Sequence, residues 1–513
     1  MPKSPAIKLE IRCMKKYDVV LKNGRVIDPE TYLDGIYNVG ISGSRIEVIT
    51  NDDISGEIEK DVTGKIVCPG FIDLHSHGMN IPSNRMQAFD GLTTALELEA
   101  GCYPISAFYD KCESEGRPLN YGASVGWGWT RLNTMNPETG EPVPDLGMLF
   151  SSFGLSEWTK NAATDEELEK ILVMVEQGLK EGGIGIGVIH GYVPGAGPKE
   201  MYGLWKLAAK YNQPTFTHIQ NLSVLEPNSG FGNVVELVGL AGATGAKTHL
   251  CHWNSTSLRS IEPIRDVVQE AQGRGLPITT EAYVWGAGNS GIGAEEFDPE
   301  DIRERLQIDW NDLTLVKTNK DFDTKEEFVT ARTEHPEDSV IVHFLNEDKD
   351  PHDAYLLDIS VLYPGTAICT DGLPWVAPNG TFYEGTEWPL PKDLNNHPRA
   401  AANYTKFLRK WVRERGIISW MEAIRRCSLN SALILEDGVP SMKKKARLQP
   451  GMDADVIVFD PETVGEKGTF VEPLQTSQGM QHVLVNGSFV IEDEELNVNA
   501  LPGKAVRGAQ YEG

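Results

Sequence analysis

The sequence predicts an α/β fold: a (β/α)8 TIM-type barrel with a small β-sandwich domain built from both termini. Three observations predict it. Strand-like and amphipathic helical segments alternate over about 350 central residues. Short alternating strands with Gly and Asn turns occupy both ends of the chain. Histidines and a carboxylate fall where central strands give way to loops, which is where barrel active sites are built. A doubly wound open sheet is the competing architecture.

The small domain is expected from residues 1–68 and 441–513, and the barrel from 69–440. YDVVLKNGRVID (17–28) and NVGISGSRIEVI (38–49) alternate apolar and polar residues, and DVTGKIVCPGFID (61–73) reads as a further strand pair. At the far end, DADVIVFDP (453–461) and HVLVNGSFVIED (482–493) are short strands, the second with an Asn486–Gly487 turn. Residues before about Met14 read as a polar extension.

In the centre, TTALELEA (93–100) is strand-like. DEELEKILVMVEQGLKEG (165–182) is an amphipathic helix with Thr164 as its N-cap. GIGIGVI (183–189), PTFTHI (214–219), AKTHLCH (246–252), PITTEAYVW (277–285) and GTAICTDG (365–372) are later strands, with helices at 199–212, 232–245 and 260–275 between them. The Asp-, Glu- and Lys-rich stretch near 296–352 interrupts the alternation and reads as an excursion over the barrel mouth.

Composition limits the partners. With 47 basic and 74 acidic residues the net charge is −27. Such a field repels phosphate backbones and anionic lipid, so no nucleic-acid and no membrane partner is expected. The 7 cysteines are odd in number and irregularly spaced, which does not describe a disulfide framework. No segment reads as a signal peptide or a spanning helix, so a cytoplasmic protein is expected.

The chemistry is concentrated in Gly70-Phe71-Ile72-Asp73-Leu74-His75-Ser76-His77. Strand alternation puts His75 and His77 on one face, where they can converge on a metal ion. His218, His249 and Asp371 close later strands. A lone histidine is more often a satisfied core residue, but four histidines and an aspartate at successive strand ends point to metal. A second ion needs a bridging anion. Glu97 and Glu99 share a strand face, and a carboxylate inside a barrel is costly unless it is paired or metal-bound. Glu99, nearer the C-terminal end, is the preferred bridge, with Cys102 as its competitor. His252 is placed near the site in a supporting role, and His343 is assigned to structure. The NSTS run (254–257) reads as ordinary loop. Trp127, Trp129, Trp253, Trp285 and Trp375 predict an aromatic-walled pocket.

Taken together, these residues resemble the amidohydrolase superfamily, and within it the D-aminoacylase, or N-acyl-D-amino-acid deacylase, group. GYVPG (191–195), EAYVWGAGNS (281–290), HPRAAANYTKFLRKWVRERGIISWMEAIRRCSLNSA (397–432) and LQPGMDADVIVFDP (448–461) carry the likeness, which covers about residues 17 to 495. The resemblance implies that His75, His77, His218, His249 and Asp371 hold one or two Zn2+ ions, or Mn2+ or another divalent ion, with Glu99 as the bridge expected from its place on the strand. It implies that Tyr192, Tyr283 and Arg399 grip the substrate, Arg399 as a bidentate clamp on a carboxylate. The chain departs from the group at three places. Glu99-Ala100 replaces the bridging cysteine, Trp127 a strand-three histidine, and Cys251 a lysine. The strand-four lysine of some relatives is also absent.

The expected reaction is hydrolysis of a linear amide, most readily an N-acyl-(D-)amino acid, with Asp371 as the catalytic base that receives a proton from water and returns it to the leaving nitrogen. The alternatives are a cyclic-amide, lactam or other non-amino-acid amide hydrolase, and a non-catalytic scaffold of the same fold. A deaminase is disfavoured because Ile219, Gln220 and Asn221, not a Glu, follow His218.

Overall fold

A computed structural model describes residues 16–139 and 145–511. The polar extension before Met14, with Cys13, lies outside the described residues. Eight parallel strands form the central sheet: β1 Phe71–Asp73, β2 Leu92–Cys102, β3 Asn120–Gly126, β4 Ile186–Ile189, β5 Thr215–His218, β6 Thr248–Leu250, β7 Ile278–Ala282 and β8 Ala367–Ile368. They lie side by side in chain order. Beyond the strand ends, Ser76 and Gly372 make a parallel bridge, and Asp371 N donates to His75 O at 2.7 Å. The last strand therefore meets the first, and the sheet closes into a barrel. Every residue of β2 is buried, as expected for a strand covered on both faces.

Helices return the chain between strands. The one at Asp165–Lys180 begins where Thr164 and Glu167 form a reciprocal capping box, so the N-cap read from sequence is the one used. Among the described residues no helix is long and apolar enough to cross a membrane.

Both ends of the chain build one nine-stranded, mostly antiparallel sheet with its own core of Val19, Val39, Ile46, Val456 and Leu484. The seam is Ile66–Pro69 paired antiparallel with Val456–Phe459. The segment 61–73 is thus divided: Ile66–Pro69 belongs to this sheet, and Phe71–Asp73 opens the barrel. The C-terminal tail departs from the expected division. Residues 503–508 leave the small sheet and run along the barrel, where Val506 N donates to Tyr121 O at 2.7 Å and Tyr109 Oη donates to Val506 O at 2.5 Å.

The excursion is ordered as a four-stranded sheet of Ala287–Gly291, Leu313–Leu315, Lys320–Asp321 and Ser339–His343. It begins before residue 296, because Gly-rich AGNSG pairs with Ser339–His343 instead of ending the barrel strand in a loop.

Candidate metal centre

The first candidate ligands arise where β1 ends. Asp73 accepts from His75 N (3.1 Å) and from Thr370 N (3.1 Å), tying the first strand end to the last. The next residues carry His75 and His77 into the barrel mouth with their Nε2 atoms 3.2 Å apart. Glu99 extends from β2 between them and the later strands. Its Oε2 lies 3.3 Å from His75 Nε2 and 3.6 Å from His77 Nε2. Its Oε1 lies 2.9 Å from His218 Nδ1 and 2.8 Å from His252 Nε2. Asp371, held at φ +50°, brings Oδ1 to 3.5 Å from His75 Nε2 and 3.3 Å from His77 Nε2. One carboxylate thus spans two pairs of imidazoles, and a second closes one pair.

The far nitrogens are also occupied by carboxylates. His75 Nδ1 is 2.6 Å from Glu281 Oε1, His77 Nδ1 is 2.7 Å from Glu97 Oε2, and His218 Nε2 is 3.3 Å from Glu296 Oε2. Such contacts fix ring orientation and raise ligand basicity. Gly191 of the GYVPG stretch has a local reason to be glycine: a Cβ there would come 2.6 Å from His218 Cδ2.

Electrostatics favour a cation. Burial opposes charge on every ring, yet Glu99, Asp371 and Glu281 outweigh it at His75 and push that ring well above the usual histidine range. His77, beside Glu97 and Asp371, is raised to about 10, as is His218 beside Glu296 and Glu99. Against their own burial, Glu99 is held well below the carboxylate range by His75, His218 and His252, and Asp371 is held at about 2 by Arg399 and His75. Buried imidazoles that draw in positive charge, facing ionised carboxylates, form a nitrogen–oxygen donor set that suits a divalent ion replacing protons. His75, His77 and Asp371 offer ligand atoms within 4.8 Å of one another, and so do His75, Glu99 and His252.

The residues singled out from sequence fall into different roles. His75, His77, Glu99, His218 and Asp371 meet at this point. His249 does not: its Nδ1 pairs with Thr279 Oγ1 at 2.8 Å and its Nε2 faces Glu281 Oε2 at 3.2 Å, below the cluster. The strand ends at Leu250, and a turn with φ +28° at His252 throws that ring into the centre instead. Cys102 joins no candidate ligand group among the described residues. Burial raises its thiol well above the ordinary range. Glu97 and Glu281 were not assigned from sequence; both stand behind ligand rings.

Tyr192 shares a hydrogen bond with Ser290 Oγ at 2.9 Å, and its ring lies 4.6 Å from that of His218. Arg399 is fully buried. Its Nη2 reaches Asp371 Oδ2 at 2.8 Å and donates to Asn289 Oδ1 at 2.7 Å, while its Nε and Nη1 have no partner among the described residues. Its guanidinium lies 4.3 Å from the centroid of the Tyr283 ring. Tyr192, Tyr283, Asn289 and Asp371 border a pocket of about 50 Å³ together with Ser255, Thr256, Phe297 and Phe344. Two of the NSTS residues therefore line the site. Trp127 and Trp253 do not form its wall: Trp127 Nε1 donates to buried Glu200 and Trp253 Nε1 to Ser360 O, as core residues do. His343 lies against Phe470.

No family model matches the chain. It is 24% identical over 527 residues to the N-acyl-D-glutamate deacylase of Alcaligenes xylosoxydans xylosoxydans, spanning 93% of this chain and 94% of that protein. It is 23% identical over 523 residues to the D-aminoacylase of the same organism, spanning 93% and 95%. Among solved structures, the Bordetella bronchiseptica N-acyl-D-glutamate deacylase, complexed with zinc and a phosphonate inhibitor, superposes with a TM-score of 0.74 at 22% identity over 96% of this chain and 100% of that one. A D-aminoacylase structure gives 0.75 at 19% identity over the same shares.

Proposed function

We infer that this chain, which resembles the D-aminoacylase group of the amidohydrolases over most of its length, is a metal-dependent hydrolase of linear amides whose substrate is an N-acyl amino acid, most readily of the D series. The observation that carries the reading is Glu99, whose two oxygens address separate imidazole pairs. His75, His77, Asp371 and Glu99 Oε2 would hold one ion. His218, His252 and Glu99 Oε1 would hold a second, with His252 in the place that sequence reasoning gave to His249. A divalent cation held there lowers the pKa of water to about 7 and polarises the scissile carbonyl.

The protein's own groups supply the rest. Asp371 receives the proton of the attacking water on Oδ1 and delivers it to the amide nitrogen as the C–N bond breaks, leaving a carboxylate and an amine. Arg399, on Oδ2, keeps that carboxylate ionised and aimed. Beside it, Arg399 Nη1 is a buried donor without a partner among the described residues. A Cβ at Gly288 would come 2.7 Å from Tyr283 Oη and 3.5 Å from Arg399 Nη1, so the glycine keeps free the volume next to both. A substrate carboxylate placed there satisfies a donor that is otherwise costly to bury.

The test is metal analysis of purified protein, followed by assay of N-acetyl and N-formyl amino acids of both hands with zinc or manganese added. The reading predicts one to two bound equivalents and release of a D-amino acid. Protein that retains no metal and cleaves no amide after zinc addition would refute it. We take the compartment to be cytoplasmic, on the acidic composition and the cysteine usage alone.

A further inference from the structure

A cavity of about 430 Å³ adjoins the candidate metal centre, and Arg399 is not among the residues that line it. That volume falls in the usual range for a small-molecule pocket. It touches the centre at His77 and Glu97, and its walls include Met79, Phe108, Trp129 and Phe382. Trp129 Nε1 is already bonded to Gly101 O at 3.1 Å, so the indole presents only apolar surface to the cavity. Cys102 and Cys112 also line it, and burial keeps both thiols neutral, Cys112 with a pKa raised to about 11. Lys111, Asp145, Glu337 and Glu384 put charge at the exposed end, and the buried charges on the wall are engaged elsewhere, Glu97 with His77 Nδ1 and Arg117 with Met79 O.

The cavity adjoins the reacting position. A small pocket under Leu149, Phe150 and Leu373 sits directly against Glu99 and Asp371. It shares His77 and Leu146 with the large cavity, and it shares Tyr192, Asn289, Ser290 and Asp371 with the pocket near Arg399. An amide has two halves, and they leave its carbonyl carbon in opposite directions. If the carboxylate-bearing amine half lies toward Arg399 and Tyr283, the acyl half is directed under Leu149 and Phe150 and past Leu146.

We propose that the cavity beyond His77 and Leu146 is an acyl-chain subsite, and that the substrate class is N-acyl amino acids with an extended apolar acyl group, such as a medium-length alkanoyl or an arylalkanoyl group. The proposal rests on the deacylase reading for its orientation. The driving force is burial of apolar surface, which yields about a fourfold gain in binding per methylene sequestered.

Two measurements test it. In an N-acyl-D-leucine series from acetyl through butyryl and hexanoyl to octanoyl, kcat/KM should climb by at least about tenfold from acetyl to hexanoyl. In Leu146→Trp, which narrows the passage, the hexanoyl-to-acetyl ratio should fall back toward one. A flat or falling series with acetyl still cleaved would overturn the subsite and leave the deacylase reading standing. Calorimetric titration with acetate and octanoate reads the subsite without turnover. Octanoate should bind at least about tenfold more tightly, and Leu146→Trp should erase the difference. Equal binding would overturn the proposal. Tight octanoate binding in a protein that cleaves no member of the series would support the subsite and sink the deacylase reading instead.

Discussion

Glu281 Oε1 lies 2.6 Å from His75 Nδ1, on the edge of the ring opposite the nitrogen that faces Glu99 and Asp371. The contact puts the Nδ1 proton on the Glu281 side and leaves Nε2 as the lone-pair donor. Glu281→Gln keeps the shape and removes the charge. Zinc affinity should fall about ten- to a hundredfold, as read by competition with a chromogenic chelator. Unchanged affinity would show that Glu281 plays no part in presenting His75.

Glu99 is predicted to hold the two-ion arrangement together. In Glu99→Gln, bound metal measured by plasma mass spectrometry should drop to one equivalent or less. Glu99→Cys should recover part of it, because a thiolate is a good zinc ligand. Equal metal content in wild type and Glu99→Gln would argue against a bridging role.

Asp371→Asn should fold and retain metal but lose about 10² to 10⁴ in kcat, the usual worth of a positioned acid–base group. Circular dichroism and metal analysis separate loss of chemistry from loss of structure. A variant with near-native turnover would remove Asp371 from the mechanism.

Gly288→Ala should place a methyl group against Tyr283 Oη and Arg399 Nη1. KM should rise about tenfold, a loss of about 1.4 kcal/mol of binding, with kcat changed much less. An unaltered KM would mean that the substrate does not use this corner.

His190 makes stability depend on acidity. Burial is the main reason that its pKa is lowered from 6.5 to about 4, with the charge of Arg131 adding to it. Above pH 6.5 the ring is neutral both folded and unfolded, and its contribution is complete. Below 6.5 the unfolded ring takes a proton that the folded ring refuses, so stability declines until the folded ring titrates near pH 4. The loss is about 3 kcal/mol across that window. Denaturant titrations of His190→Gln at pH 7.5 and 4.5 should show a smaller decline than wild type. An identical decline in both would remove His190 as a source of the pH dependence.

The barrel was legible because its strands and helices obey short periods. A strand buried on both faces reads as an apolar run, and the helix at 165–180 carries its capping box in four consecutive residues. His-x-His was legible because alternation decides which side chains share a face. His252 was harder to assign, since strand alternation stops at Leu250 and the turn that follows sets the ring's direction. Glu97 and Glu281 could be recognised as carboxylates in strands, but the rings they hold are 20 and 206 residues away in sequence.

Local pattern by itself determined the succession of strands and helices, the pairing of the two chain ends and the imidazole-rich mouth, because these depend on hydrophobic period and residue type. Tertiary closure decided which imidazole faces which carboxylate oxygen, that Arg399 holds Asp371, and that apolar space opens beyond His77. Those are distances of a few ångströms between strands far apart in the chain, and they exist only once the barrel's last strand has met its first.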